Sequence, residues 1–278
     1  MTTTFSRILL ASEHTEFDSG AETVALALAR RSGQPLAAVL PVLSNPEFEA
    51  VAPQLAEHAD EQAARRREAL QALAQAAGVT LQLRVRRGAE PFAEIVQAAR
   101  ELPADLIVLR RRGQRSFLAN LLVGEMVGKV LAHAPCSVLL ALRGAQLWRR
   151  AVLVGLDPLV PDSALLDQAA SLAAECGLPL RVVCVALGEE TRATAQQALQ
   201  AALLQARGHG GHVDGELRVG RPFQELLDAA RAHAADLIVV GRHRPETLGR
   251  AWIGGVAQKV IGLAECPVLV HVNPNPSP

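Results

Sequence analysis

The feature that most constrains this chain is that it is written twice. Gly33 and Pro35 precede an apolar run from Leu36 to Val42, and Gly177 and Pro179 precede another from Leu180 to Ala186. The segment PADLIVLR ending at Arg110 returns as AADLIVVG ending at Gly241. Each is preceded by a Pro-Phe pair, Pro91-Phe92 and Pro222-Phe223. Gly124, Lys129 and Cys136 return in the same order as Gly254, Lys259 and Cys266. The separation between matched residues shortens along the chain, so the copies differ by loop insertions while keeping one order of elements. The 278 residues therefore read as two domains, 1–143 and 150–273, joined near Gly144 to Arg150. The Pro-rich tail from Asn273 reads as frayed.

Within each copy, short apolar runs alternate with stretches of helical periodicity. In the first copy, strands are expected at Arg7–Ala11, Leu36–Leu43, Val79–Arg86, Asp105–Leu109 and Ser137–Leu142. Helices are expected at Ala21–Arg30, Glu57–Ala77, Pro91–Leu102 and Gly124–Ala134. The second copy repeats this, with strands at Ala151–Gly155, Leu180–Ala186, Val213–Val219, Asp236–Val240 and Val268–Val272. Its helices are expected at Ser163–Cys176, Glu190–Ala206, Phe223–His233 and Gly254–Ala264. Such alternation implies parallel pairing through right-handed crossovers. Leu106–Leu109 and Leu237–Val240 are continuous apolar runs, as strands covered by helices on both faces must be. The fold class is thus α/β, two tandem five-stranded parallel-sheet sandwiches. Their last strands are expected to pair with each other, making an internal pseudo-dimer.

Composition removes several functions. Basic and acidic residues balance at 28 each, so no overall basic character exists to hold a nucleic acid. Aromatic content is 3% with no Tyr, too little for a base-stacking surface. The four cysteines form no C-x-x-C pair and read as buried reduced thiols. No run of about 20 apolar residues exists to span a membrane, and no signal-peptide core is visible, which points to the cytoplasm.

In a parallel sheet, ligands bind beyond the carboxyl ends of the strands. Asp157 follows the first strand of the second copy, where it can accept a hydrogen bond from an adenine or ribose. Gly241 leaves the fourth strand, and Gly254-Gly255 open the next helix, whose N–H groups and dipole favour an anion. Arg242, Arg244 and Arg250 add positive charge. On spacing alone, these glycines serve equally to turn the chain, with Asp157 capping the next helix.

These residues resemble the universal stress protein family over nearly the whole chain. The resemblance is carried by ADLIVVG, by the pattern K-V-x-x-x-A-x-C-P-V-L-V at Lys259 to Val270, and by K-V-L-A-H-A-P-C-S-V-L-L at Lys129. It implies a Rossmann-like five-stranded sheet in each copy and a protein of the stress response that binds and signals. Many members hold ATP through G-x2-G-x9-G-[S/T], with an Asp after the first strand and a Val after the second at the adenosine. Against that pattern, Asp157, Val185, Gly241 and Gly254 fit, Arg244 stands at the second Gly, and Gly255 replaces the hydroxyl residue. In the first copy Glu13 replaces the Asp, Pro41 the Val and Arg110 the first Gly. Gly113 fits, and Glu125 follows Gly124 where the hydroxyl is expected. A carboxylate at the helix start repels a phosphate, with Arg110, Arg111, Arg112 and Arg115 placed to neutralise it in part.

The resemblance thus implies adenine nucleotide, ATP or AMP, in the second copy only, with no cofactor required, no catalysis and no metal. The expected partners are that nucleotide, an unspecified protein and further copies of the chain, and the composition and the lack of a long apolar run leave out nucleic acid and membrane. The alternative is a nucleotide-free interaction scaffold, and a slow ATPase is the third reading. Ser12-Glu13-His14 offers no assignable acid–base pair. His209 and His212, near Asp214, have no third strong ligand in the sequence. Trp252 is expected as a lid or contact residue, and Arg65–Arg67 as a solvated helix face.

Overall fold

A computed structural model describes residues 3–44, 49, 51, 53–111, 124–242 and 253–273. The chain divides into two units, one holding 5–113 and 124–147, the other running from Trp148 onward.

In the first unit the strands are β1 (Ile8–Ala11), β2 (Leu36–Leu43), β3 (Leu81–Gly88), β4 (Leu106–Arg110) and β5 (Ser137–Ala141). The helices are α1 (Ser19–Ser32), α2 (Pro53–Ala76), α3 (Pro91–Glu101) and α4 (Glu125–His133). The strand order is β3-β2-β1-β4-β5, and every pairing is parallel. The second unit repeats it with β6 (Val152–Leu156), β7 (Leu180–Ala186), β8 (Val213–Val219), β9 (Leu237–Gly241) and β10 (Val268–His271). Its helices are α5 (Ser163–Cys176), α6 (Arg192–Arg207), α7 (Pro222–Ala232) and α8 (Gly255–Leu263). Its order is β8-β7-β6-β9-β10, again parallel. The two-copy α/β reading is borne out.

Why each run adopts its element is visible locally. The central strands β1, β4 and β9 are buried along nearly their whole length, and β6 over its first three residues, as apolar runs between helix layers must be. The edge strand β3 alternates instead and is half exposed. Helices α1 and α5 end at Gly33 and Gly177, whose φ of 67° and 64° need a residue without Cβ strain. Pro91 and Pro222 open α3 and α7, where a missing N–H costs nothing.

Two strand starts differ from expectation for one reason. Asp105 and Asp236 stand just before β4 and β9 rather than in them. Asp105 accepts from the backbone N–H groups of Ser6 and Arg7 at 2.9 and 3.0 Å. Asp236 accepts from those of Arg149, Arg150 and Ala151 at 2.7 to 3.1 Å. Each carboxylate thus ties the entry of the first strand to the entry of the fourth, a role that a sequence period cannot reveal. A 3-10 turn at Glu189–Thr191 likewise delays α6 past the expected Glu190.

Candidate functional site

The switch in strand order lies between β6 and β9, and a cavity of about 440 Å³ opens at the carboxyl ends of these strands and β7. That size falls among small-molecule sites, which run roughly 300–1,000 Å³. Gly155 lets Leu226 of α7 close against β6, because a Cβ there would stand 2.8 Å from the Leu226 methyls. The walls are mostly aliphatic, with Leu156, Val185, Leu187, Val240 and Val256 among them. Among the described residues, the charged ones lining it are Asp157, Asp162 and Arg242. Val256 and Ala257 bring the first turn of α8 to the cavity, and Gly254 before it offers no capping side chain. The backbone N–H groups of that turn have no intrahelical acceptors.

Of the expected residues, Asp157, Val185 and Gly241 line this cavity. Gly254 and Gly255 immediately precede the two α8 residues that do. Arg244, Arg250 and Trp252 lie outside the described residues. Asp157 does not cap α5. Its carboxylate accepts from the Leu159 N–H at 2.9 Å, while Asp162 caps the helix through the Leu165 N–H at 3.0 Å. Asp162, Leu165, Thr191, Pro222 and Leu226 also line the cavity and were not foreseen, because helix packing rather than strand position brings them there.

The corresponding place in the first unit is filled. The free volume there is about 10 Å³, about one water, lined by Glu13, Asp18, Pro41, Ile95 and Arg110 among others. Arg110 does not turn toward Glu125. Its guanidinium reaches back across the strand ends, donating to Thr15 Oγ1 at 2.9 Å and pairing with Glu13 at 3.3 Å and Asp18 at 3.4 Å. Asp18 is 1% exposed and also accepts from the Thr15 N–H at 2.9 Å. Glu125 points outward and pairs with Lys129 of its own helix at 3.0 Å. Arg111 is buried, and Arg112, Gly113 and Arg115 lie outside the described residues. Beneath, Ser12 donates to Glu22 at 2.6 Å, and the His14 imidazole meets the same carboxylate at 3.0 Å. Hydroxyl and imidazole thus share an acid without bonding each other, so this cluster is a polar plug rather than a nucleophile and base.

Away from the crevices, His209 bridges Asp167 at 2.8 Å and Ser171 at 3.1 Å on the outer face of α5, while His212 pairs with Asp214. Among the described residues no three His, Cys, Asp or Glu side chains gather as a metal site. None of the four cysteines forms a disulfide; Cys136 and Cys184 are buried as expected, whereas Cys176 and Cys266 are only half-buried. Burial pushes Cys136 up to about 12 and Cys184 up to about 11, which keeps both as unreactive thiols. Among the described residues no helix is long and apolar enough to cross a membrane.

Comparison with known proteins agrees with this geometry. The family model described as the universal stress protein family matches residues 4–141 and again 149–271. A universal stress protein of Methanocaldococcus jannaschii is 35% identical over 98 residues, 35% of this chain and 58% of that one. Another, from Synechocystis, is 32% identical over 82 residues, 30% of this chain and 53% of that one. The chain spans about half the length of the curated relatives it matches. A crystal structure of a universal stress protein from Archaeoglobus fulgidus shares the fold, with a TM-score of 0.71 at 18% identity over 97% of this chain and 96% of that one. With the family matched over both copies, the chain belongs to the universal stress protein family as a tandem, two-domain member.

Proposed function

We propose that this protein is a cytoplasmic nucleotide-binding member of the stress response, holding one adenine nucleotide in the second unit and none in the first. The observation that carries the reading is the contrast in free volume, about 440 Å³ against about 10 Å³ at equivalent strand ends. Aliphatic walls suit a purine face, the Asp157 carboxylate suits ribose or amino hydrogens, and the open first turn of α8 suits a phosphate. The protein acts by binding rather than turnover. The described lining residues include no imidazole, thiol or amine, and the Thr191 hydroxyl is spent on the Gly188 carbonyl at 3.1 Å.

Calorimetric titration with AMP and ATP tests this. Binding is expected, with loss in Asp157→Ala and no change in Glu13→Ala. A bound nucleotide also raises unfolding stability by about 2.7 kcal/mol at a hundredfold excess over Kd. No heat and no thermal shift with either nucleotide would favour the ligand-free scaffold instead.

A further inference from the structure

His271 is the last residue of β10 and the register partner of Gly241 on β9. Partners in a parallel pair present their side chains on one face of the sheet. That face is the one toward α5. A Cβ on Gly241 would meet Leu165 at 3.5 Å and Asp162 at 3.8 Å, and the His271 Nδ1 meets Gln168 of the same helix at 2.8 Å. The imidazole therefore stands beside the gap that Gly241 leaves, next to the cavity rather than in it. It is 5% exposed, and its Nε2 has no hydrogen-bond partner among the described residues. An unsatisfied buried ring nitrogen is a costly arrangement unless a further group reaches it.

The charges facing this ring come from two elements. Asp162 stands at the start of α5, and Arg242 follows β9 with its N–H donating to the His271 carbonyl at 3.0 Å. Gln168 and Gly241 beside it are uncharged. Burial holds His271 below its ordinary value, Asp162 opposes this, and Arg242 adds to the depression. The ring is thus neutral near pH 7, and Asp162 and Arg242 also line the cavity, together with Asp157.

We infer that the second crevice is proton-linked: an anionic ligand beside Arg242 offsets the guanidinium charge, so ligand and a proton on His271 are taken up together. This rests on the nucleotide reading and adds regulation to the same site. The sign follows from linkage. The bound protein holds its proton to a higher pH than the free protein, so affinity rises as pH falls through the bound-state value and levels off below the free-state value. Mild acidification then loads the site.

The test titrates AMP at about pH 5 and about pH 8 into the wild type and His271→Gln. AMP's own phosphate titrates near pH 6, and that contribution is common to both proteins. The wild type is expected to gain more affinity on acidification than the variant, by up to about tenfold for each unit that AMP raises the imidazole pKa. Adenosine, which is uncharged, should show no such difference. Should the variant not fold, the NMR titration of the His271 ring in the wild type reads the same quantity, and its midpoint should rise on AMP addition. AMP binding with an unmoved midpoint, or an equal pH dependence in both proteins, overturns this inference alone. No AMP binding at either pH overturns the nucleotide reading and this inference together.

Discussion

The two units place equivalent strand ends and helix starts around a crevice, yet one crevice is filled from within and the other is open. The difference comes down to a few equivalent positions. Where β9 ends in Gly241, β4 ends in Arg110, whose guanidinium reaches Asp18, the counterpart of Asp162. Where the second unit carries Leu156 and the buried Leu166, the first carries Ser12 and Glu22, bonded to each other. A carboxylate buried as deeply as Asp18 needs a cation and donors, and Arg110 with Thr15 supplies them. The first unit thus fills its crevice with side chains of its own chain, while the second keeps open volume. The layers are alike in the two copies, while the residues at the strand ends set how much free volume each crevice keeps.

The strongest way to break this comparison is to write the first unit's solution into the second. Gly241→Arg should fill the cavity and pair with Asp162, lowering AMP affinity by about a hundredfold, or about 2.8 kcal/mol, in a calorimetric titration. The fold should survive, since a Cβ at Gly241 makes only ordinary contacts at 3.5 and 3.8 Å.

The reverse change should cost stability rather than create a site. Arg110→Gly strands the buried Asp18, and urea unfolding should show a loss of about 2–3 kcal/mol, less than for a fully buried pair because the guanidinium is partly exposed. Glu13 and Asp18 would still repel a phosphate, so AMP stoichiometry should not rise.

What the copies share should respond alike. Asp105→Ala and Asp236→Ala each remove a carboxylate that accepts from two or three backbone N–H groups. Each should cost about 1–2 kcal/mol in urea unfolding. A large difference between them would mean that the two strand entries are not built alike.

The smallest expected effect lies on the outer sheet edges, where the copies differ in sign. In the first unit Arg84 on β3 pairs with Glu101, while in the second Glu216 on β8 pairs with His233 at 2.8 Å. Burial pushes Glu216 up, but the hydrogen bonds from His233 and Arg218 outweigh it and its carboxyl sits below the usual range. A depressed carboxyl stabilises the fold above its unfolded-state value and loses that contribution as pH falls through its folded-state value. Glu216→Gln should therefore narrow the difference in urea midpoint between about pH 7 and about pH 3, by a modest amount because the pair is partly solvated.

How much of this was legible in sequence follows the physics of each part. Strand runs such as Leu237–Val240 and the glycine closing α5 carry local signals, so layers and order could be read directly. Asp157, Val185 and Gly241 could be placed because they sit at strand ends, where topology fixes position. Arg110 was visible as a departure from the glycine pattern, but its direction was not. It turns to Asp18 and Glu13 rather than Glu125, because a buried carboxylate attracts it more strongly than one in solvent. The signal was present in the repeat itself, since Asp18 and Asp162 hold equivalent positions at the starts of α1 and α5. Leu226 and Thr191 left no such trace, because only packing across the crevice brings them to it.

Counting nucleotides on the intact chain tests the central claim most directly. Native mass spectrometry with AMP at about ten times the wild-type Kd should show one bound per chain in the wild type and in Glu13→Ala, and almost none in Gly241→Arg. Two bound per chain, or one that persists in Gly241→Arg, would contradict the account of one sealed and one open crevice.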